Sequence, residues 1–254
     1  MSVVGRAFSI LDAFADGTPS LRLTAIAERA DLPLPTALRL VRELVAWGGL
    51  QRQSDGSYRL GSRLWTLGGQ APCQRRLVET GRPVLHGLSR ETGLPVLLAA
   101  LDGSRLVVLD GADAGAGTAV RPGTMLPLHA TAAGKVLLAY LPDSRRRQLL
   151  TDLVRLTPHT LTAPGLLDRQ LAAIRAGAPA SAWEEWHLGE NEVAVPVDPF
   201  AVHGPEAALA VTARSAAQAR RVLPLLARAA LTISAGLRPS GQATACATRA
   251  GEPR

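Results

Sequence analysis

Leu32–Arg42 reads LPLPTALRLVR: two prolines one residue apart, then a threonine, then two arginines at helical spacing. It closely follows a short helical stretch, Thr24–Ala30. Pro35 fits the first turn of a helix, where its missing N–H would have had no partner. Pro33 pushes Leu32 off helical angles and so ends the preceding helix. The prolines therefore predict a sharp, short turn between two helices. The second helix runs from about Pro35 to Trp47. Leu38, Val41, Leu44 and Val45 form its expected buried stripe, and Thr36, Arg39, Arg42 and Glu43 fall largely on the other side.

Upstream, Val3, Ala7, Ile10, Leu11 and Phe14 recur at helical spacing, and Asp16-Gly17-Thr18-Pro19 stops that helix. Thr24 is the expected N-cap of the next helix. Downstream, Gly48-Gly49 ends the third helix. Leu50–Gln53 and Tyr58–Leu60 then flank an Asp55-Gly56 turn, which is a hairpin signal. Three helices, a tight second turn and a hairpin make a winged helix-turn-helix. Its third helix belongs in a major groove of duplex DNA, with the hairpin beside the backbone. Thr36, Arg39 and Arg42 are the candidate contacts on the helix, because arginine bridges guanine O6 and N7 or clamps phosphate. Ser54, Ser57 and Arg59 are the candidates on the wing, with Arg52 behind them. Residues 1–70 carry 8 basic and 6 acidic side chains. That mild excess calls for a homodimer, which adds a second half-site.

Ser62 to about Gly69 starts a connecting helix, interrupted at Gly68-Gly69 and Pro72, and helical spacing resumes over Arg75–Glu91. Beyond it the pattern changes. Leu94–Leu101 and Leu106–Asp110 are apolar runs around Asp102-Gly103-Ser104. Thr118–Arg121 and Met125–Leu128 are short candidate strands. Helices are expected at Thr131–Tyr140, Pro142–Leu153 and Leu166–Arg175. A loop-like stretch, Gly177–Asn191, precedes strands at Val193–Asp198 and Glu206–Thr212 and a last helix over Ala216–Ala235. The pattern is α+β with an antiparallel sheet. The expected divisions are 1–70 for the winged helix, 71–92 for the connector, 93–238 for the second domain, and 239–254 for a polar, disordered tail.

The apolar runs are far too short to cross a bilayer, and the opening MSVVGRAFSILDAF reads as an amphipathic helix rather than a signal peptide. Two cysteines, Cys73 and Cys246, suggest no disulfide framework and fit a cytoplasmic location. The formal charge of +7 includes one lysine, Lys135; the other basic residues are arginines. Such a bias follows genome composition, yet it also suits phosphate contact.

Three segments carry a family resemblance. LTAIAERADLPLPTALRLVRELVAWGGLQRQSDGSYRLG, closing on Tyr-x-Leu-Gly, resembles the winged-helix segment of the IclR family of bacterial transcription regulators. LPLHATAAGKVLLAYLP at 126–142 resembles that family's most distinctive stretch, and EEWHLGENEVAVPV at 184–197 its Glu-x-x-x-Gly segment and following strand. The resemblance implies a winged helix-turn-helix domain joined by a helix to a GAF-like effector-binding domain. It also implies homodimers, often paired into tetramers, that bind a DNA operator under the control of a small, usually acidic, metabolite. Two departures stand out. Leu34-Pro35 replaces a polar pair, and Ala213-Arg214-Ser215 replaces a Ser-Gly-Pro turn that lines the pocket in relatives.

Thr131-Ala132-Ala133-Gly134 opens a helix with small residues. A carboxylate could approach its free N–H groups there, or the small residues could serve tight helix–sheet packing. Lys135 does not make it a P-loop, because His129 and Val136 stand where glycine and Ser/Thr are needed. Met125, Leu126 and Leu128 are the expected apolar wall. Asp198 and Thr212 are the expected polar groups opposite, and Arg214 either fills the site or binds an anion in it. Glu184, Glu185, His187, Glu190 and Glu192 crowd one segment. Carboxylate-rich loops are normally solvated, so neither a metal nor a cofactor is expected. The competing reading is an enzyme acting on a small acid, with the first domain as an oligomerisation module. The five scattered histidines assemble no acid–base pair for it.

Overall fold

The computed structural model describes residues 1–15, 17–68, 72–113, 115, 121–151, 153–197, 205 and 207–238. The chain divides into two compact units, Met1–Pro72 with Arg121–Met125, and Cys73–Val120 with Leu126–Arg254.

The first unit contains α1 (Val3–Asp12), α2 (Leu23–Arg29), α3 (Leu34–Trp47), β1 (Leu50–Arg52), β2 (Tyr58–Leu60) and α4 (Ser62–Gly68). Ser2 caps α1 by accepting from the Gly5 amide at 3.0 Å. Helix α2 begins at Leu23 on Arg22, not on Thr24, which lies inside the helix. The α2–α3 turn closes before the prolines act. The Leu32 amide donates to Ala27 O and the Asp31 amide to Glu28 O, around Asp31 at φ +51°. This is a Schellman ending, with aspartate in the left-handed position usually given to glycine. Pro33 then caps α3 and Pro35 sits in its first turn. The buried stripe of α3 is Ala37, Leu40 and Val41. Leu38, Leu44 and Val45 flank it, half-buried, so the core lies about one residue away from the expected centre. Leu40, Val41, Leu44 and Val45 meet Ile10, Phe14, Leu21, Ile26, Leu50 and Tyr58. Strands β1 and β2 pair antiparallel with Gln51 opposite Arg59. Leu21 adds a bridge to Tyr58. Gly61 has a close-approach role: a Cβ there would lie 2.1 Å from Gly48 O.

The second unit contains α5 (Pro72–Thr92), β3 (Val96–Asp102), β4 (Arg105–Ala112), α6 (Ala132–Tyr140), α7 (Asp143–Leu149), α8 (Pro164–Arg175), β6 (Ala180–Trp183), β7 (Asn191–Val197), β8 (Ala207–Ala213), α9 (Ala216–Arg221) and α10 (Leu223–Leu237), with β5 (Met125–Leu126) at the sheet edge. The strand order is β5-β4-β3-β8-β7-β6, the GAF-like arrangement, and the pairs β3–β4, β3–β8, β8–β7 and β7–β6 are antiparallel. Both faces are covered. Leu85 and Leu88 of α5 and Leu226 and Ile233 of α10 pack on Leu98, Leu209 and Val211. On the other face Val136 and Leu138 of α6 and Leu167 and Leu171 of α8 pack on Ala99, Ala194, Ala208 and Ala210. The alanines let α6 lie so close that Ala132 through Ala139 are all buried.

Three differences have simple causes. Ala180–Trp183, expected as loop, is a strand paired with Asn191–Ala194, since neighbouring strands supply the order its small residues do not signal. The expected last helix is split at Val222, because Pro224 cannot donate to Arg220. Helix α5, expected as a connector, supplies Leu77, Leu85 and Leu88 to the core of the second unit. The expected strand residues 118–120 and the expected tail 239–254 lie outside the described residues. Among the described residues no helix is long and apolar enough to cross a membrane.

Candidate functional site

The first unit presents an arginine-bearing face. On α3, Arg39, Arg42 and Glu43 are exposed and Thr36 is half-buried. Arg39 pairs with Glu43 at 2.8 Å. Arg42 and Arg52 line one concavity between α3 and the hairpin, floored by Leu38, Val45 and Tyr58. On the hairpin, Arg59 donates to Gln51 Oε1 through Nε and Nη2, at 3.1 and 2.8 Å. Ser54 is exposed at the turn. Ser57 departs from expectation. It is buried, and both its amide and its hydroxyl donate to Asp55 Oδ1, at 2.9 and 2.7 Å. Those bonds hold the Asp55 carboxyl below its ordinary pKa. Ser57 therefore shapes the turn and has no free hydroxyl for phosphate. The arginine the hairpin brings toward α3 is Arg52.

The second unit holds a cavity of about 270 Å³. Pro95, Val96, Leu97, Leu126, Ala130 and Ala182 give it apolar walls, while Thr212 and the 185–192 segment supply its polar groups. Trp186 and His187 both line it, their ring centroids 4.2 Å apart. Of the expected effector residues that are described, Leu126 and Thr212 line this cavity and the others do not. Met125 is exposed and Leu128 is half-buried in the core. Arg214 is exposed and its amide donates to Gln218 Oε1, so it neither fills nor lines the cavity. Asp198 lies outside the described residues.

The helix start at α6 is built as a closed structure. Thr131 accepts from the Gly134 amide at 3.2 Å and donates to Pro127 O at 2.7 Å. A Cβ at Gly134 would lie 2.2 Å from Leu128 O, which identifies tight backbone packing as the reason for that glycine. The Ala132 and Ala133 amides donate to the Glu192 carboxylate at 2.9 and 3.3 Å. Glu192 is buried, and desolvation raises its pKa to about 7 against the opposing pull of those two amides and Lys135.

Lys135 is fully buried. Its Nζ donates to Glu185 Oε1 at 2.5 Å and to Ser181 O at 3.0 Å. Desolvation lowers its pKa, with Glu185 opposing. Glu185 and Glu192 are thus structural carboxylates and not the solvated loop residues their spacing suggests. Thr157 and Thr160 fix the turn by donating to backbone carbonyls of Glu184 and Glu185. Sequence reasoning had no local signal for these pairings, which span 25 to 60 residues of chain. Among the described residues no cluster of histidine, cysteine or carboxylate side chains could hold a metal.

Comparison with known proteins agrees with this layout. Residues 71–235 match the family description "Bacterial transcriptional regulator IclR C-terminal", and residues 3–54 match "IclR helix-turn-helix domain". The chain belongs to the IclR family of bacterial transcriptional regulators. It is 34% identical to the HTH-type transcriptional regulator XynR of Escherichia coli, over 76% of this chain and 79% of that protein. It is 31% identical to the HTH-type transcriptional regulator TtgV of Pseudomonas putida, over 92% of this chain and 90% of that protein. Among solved structures, an IclR homolog from Microbacterium hydrocarbonoxydans complexed with 4-hydroxybenzoate superposes with a TM-score of 0.80. The two share 28% identity over 93% of this chain and 99% of the other.

Proposed function

We propose that this regulator reads an operator of a metabolic operon as a homodimer, or a dimer of dimers, under the control of a small carboxylate bound in the second unit. Helix α3 enters the major groove with Thr36, Arg39 and Arg42, and Ser54, Arg59 and Arg52 follow the backbone from the hairpin. The observation that carries the reading is the pair Arg42 and Arg52. Both line the concavity beside α3 and have no protein partner among the described residues. Two such cations on one face sum to a positive potential that attracts phosphate and can displace the counterions condensed on it. The effector cavity is that between the starts of β3 and β7, the end of β8 and the 184–190 segment. The carboxylate class is supported by the 4-hydroxybenzoate held by the Microbacterium homolog. The protein acts in the cytoplasm, where its operator is.

Selection of bound duplexes from a random DNA pool by the full chain tests the reading. Recovery of a two-fold repeated half-site supports it, and recovery of no enriched sequence overturns it. Incubating the protein with 4-hydroxybenzoate and following it by mass spectrometry tests the enzyme alternative. An unchanged acid is the expected result, and turnover would favour an enzyme.

A further inference from the structure

Glu192 reaches from β7 to the first turn of α6, sixty residues earlier in the chain. Its two oxygens accept from the Ala132 and Ala133 amides. These are N–H groups that a helix leaves without internal partners, and they are the ones a bound anion uses. The next amide, Gly134, is taken by Thr131. The same Glu192 lines the cavity, directly opposite Thr212 in the β7–β8 register. A protein carboxylate that lines the cavity therefore already occupies the free amides at the start of α6.

The groups around Glu192 give an incoming acid little help. From α6, Lys135 is committed to Glu185 and to Ser181 O. From the 184–190 segment, Glu185, His187 and Glu190 line the cavity, and Glu190 adds repulsion. From β8 comes only the neutral Thr212. Among the described lining residues His187 is the one side chain able to carry positive charge.

We infer that Glu192 determines which ligands the cavity accepts: its carboxylate occupies, from within the chain, the anion position at α6, so an acidic effector binds in competition with it. This deepens the effector reading and rests on the cavity being the effector site. An acid that binds displaces Glu192 from the amides or shares a proton with it. A ligand of the same shape without the charge meets no such competition. Ionisation of Glu192 strengthens the block, so acids bind less well as pH rises through its titration.

The test is calorimetric titration of the full chain with 4-hydroxybenzoate and with its uncharged counterpart 4-hydroxybenzamide, near pH 8. In Glu192→Ala the affinity for the acid is expected to rise by about tenfold or more, while that for the amide changes by less than about threefold. Glu192→Gln preserves shape and an acceptor for the amides, and so guards against a variant that fails to fold. In the wild type the acid's affinity falls between about pH 6 and about pH 8, and in Glu192→Gln that fall disappears. Equal changes for acid and amide, or weaker acid binding in Glu192→Ala, would overturn the inference while leaving the cavity as the effector site. Failure of both probes to bind any folded variant would overturn the effector reading together with it.

Discussion

Arg39 and Glu43 are paired one helical turn apart on the open side of α3, with Arg39 Nη1 2.8 Å from the glutamate oxygen. Both side chains are more than half exposed, so the pair adds little stability. It does occupy the guanidinium that the proposed α3 contact to DNA uses. Arg39→Ala is expected to weaken binding of the selected duplex by about 5- to 100-fold, as for loss of one base or phosphate contact. Glu43→Ala is expected to tighten binding to unrelated duplex instead. Fluorescence anisotropy between about 50 and 200 mM salt reads both, with affinity falling steeply as salt rises. Wild-type affinity in Arg39→Ala would remove α3 from the groove.

Two glycines are set by backbone oxygens and not by turn geometry. A Cβ at Gly61 would sit 2.1 Å from Gly48 O, and one at Gly134 would sit 2.2 Å from Leu128 O. Alanine at either site is expected to cost about 3 kcal/mol or more, because backbone must move to admit it. Gly87→Ala, inside α5 with no neighbouring atom within 4 Å, is expected to stabilise by up to about 1 kcal/mol through helix propensity. Urea unfolding of the three variants checks the contrast.

The Lys135–Glu185 pair is sealed from water, with side-chain exposures of 0% and 5%. Removing one partner leaves a buried charge alone. Lys135→Met or Glu185→Leu is expected to cost about 3–5 kcal/mol. The double change Lys135→Met with Glu185→Leu is expected to cost clearly less than the two single changes added together. A double-mutant cycle measured by denaturant unfolding tests this, and simple additivity would contradict it.

Glu192 gives stability a defined dependence on pH. Its carboxyl titrates at about 7 in the folded protein against an ordinary value of 4.5. Between those values the unfolded chain has released the proton that the fold retains, so folding stability falls as pH rises through that window. Above it the penalty is constant, on the order of a few kcal/mol. Glu192→Gln removes this contribution. The stability of the wild type relative to Glu192→Gln is therefore expected to drop between about pH 5 and about pH 8, measured by urea midpoints. A flat difference would mean that Glu192 ionises freely.

Local chemistry made the winged helix legible. Prolines, an Asp-Gly turn and helical spacing each act over a few residues, and they located α3 and the hairpin to within a residue and α1 except for its last turn, which ends at Asp12 rather than before Asp16. The start of α6 at Thr131–Ala132 was legible too, whereas the expected cap of α2 at Thr24 lies inside that helix. What escaped was decided by distant partners. Leu40, not Leu38, faces the core because α1 and the hairpin close on that side of α3. Strand β6 exists because Asn191–Ala194 pairs with it, although Ala-Ser-Ala-Trp has little strand character of its own. The sequence alone presents the start of α6 as a row of unoccupied amide donors. Only the fold reveals that a glutamate sixty residues on has already filled them.

The central strands of the sheet come from opposite ends of the second unit, with Val96 beside Val211. A ribosome has therefore finished the helices and hairpin of the DNA reader long before it delivers the strand that completes the sensor. Translation halted after Met125 but short of Ala207 leaves the residues of the first unit complete and the sheet of the second without its central strand β8. Long-range pairing of this kind is also slow to form. Newly made chains thus pass through an interval in which the residues of the winged helix are all present and those of the second unit's sheet are not.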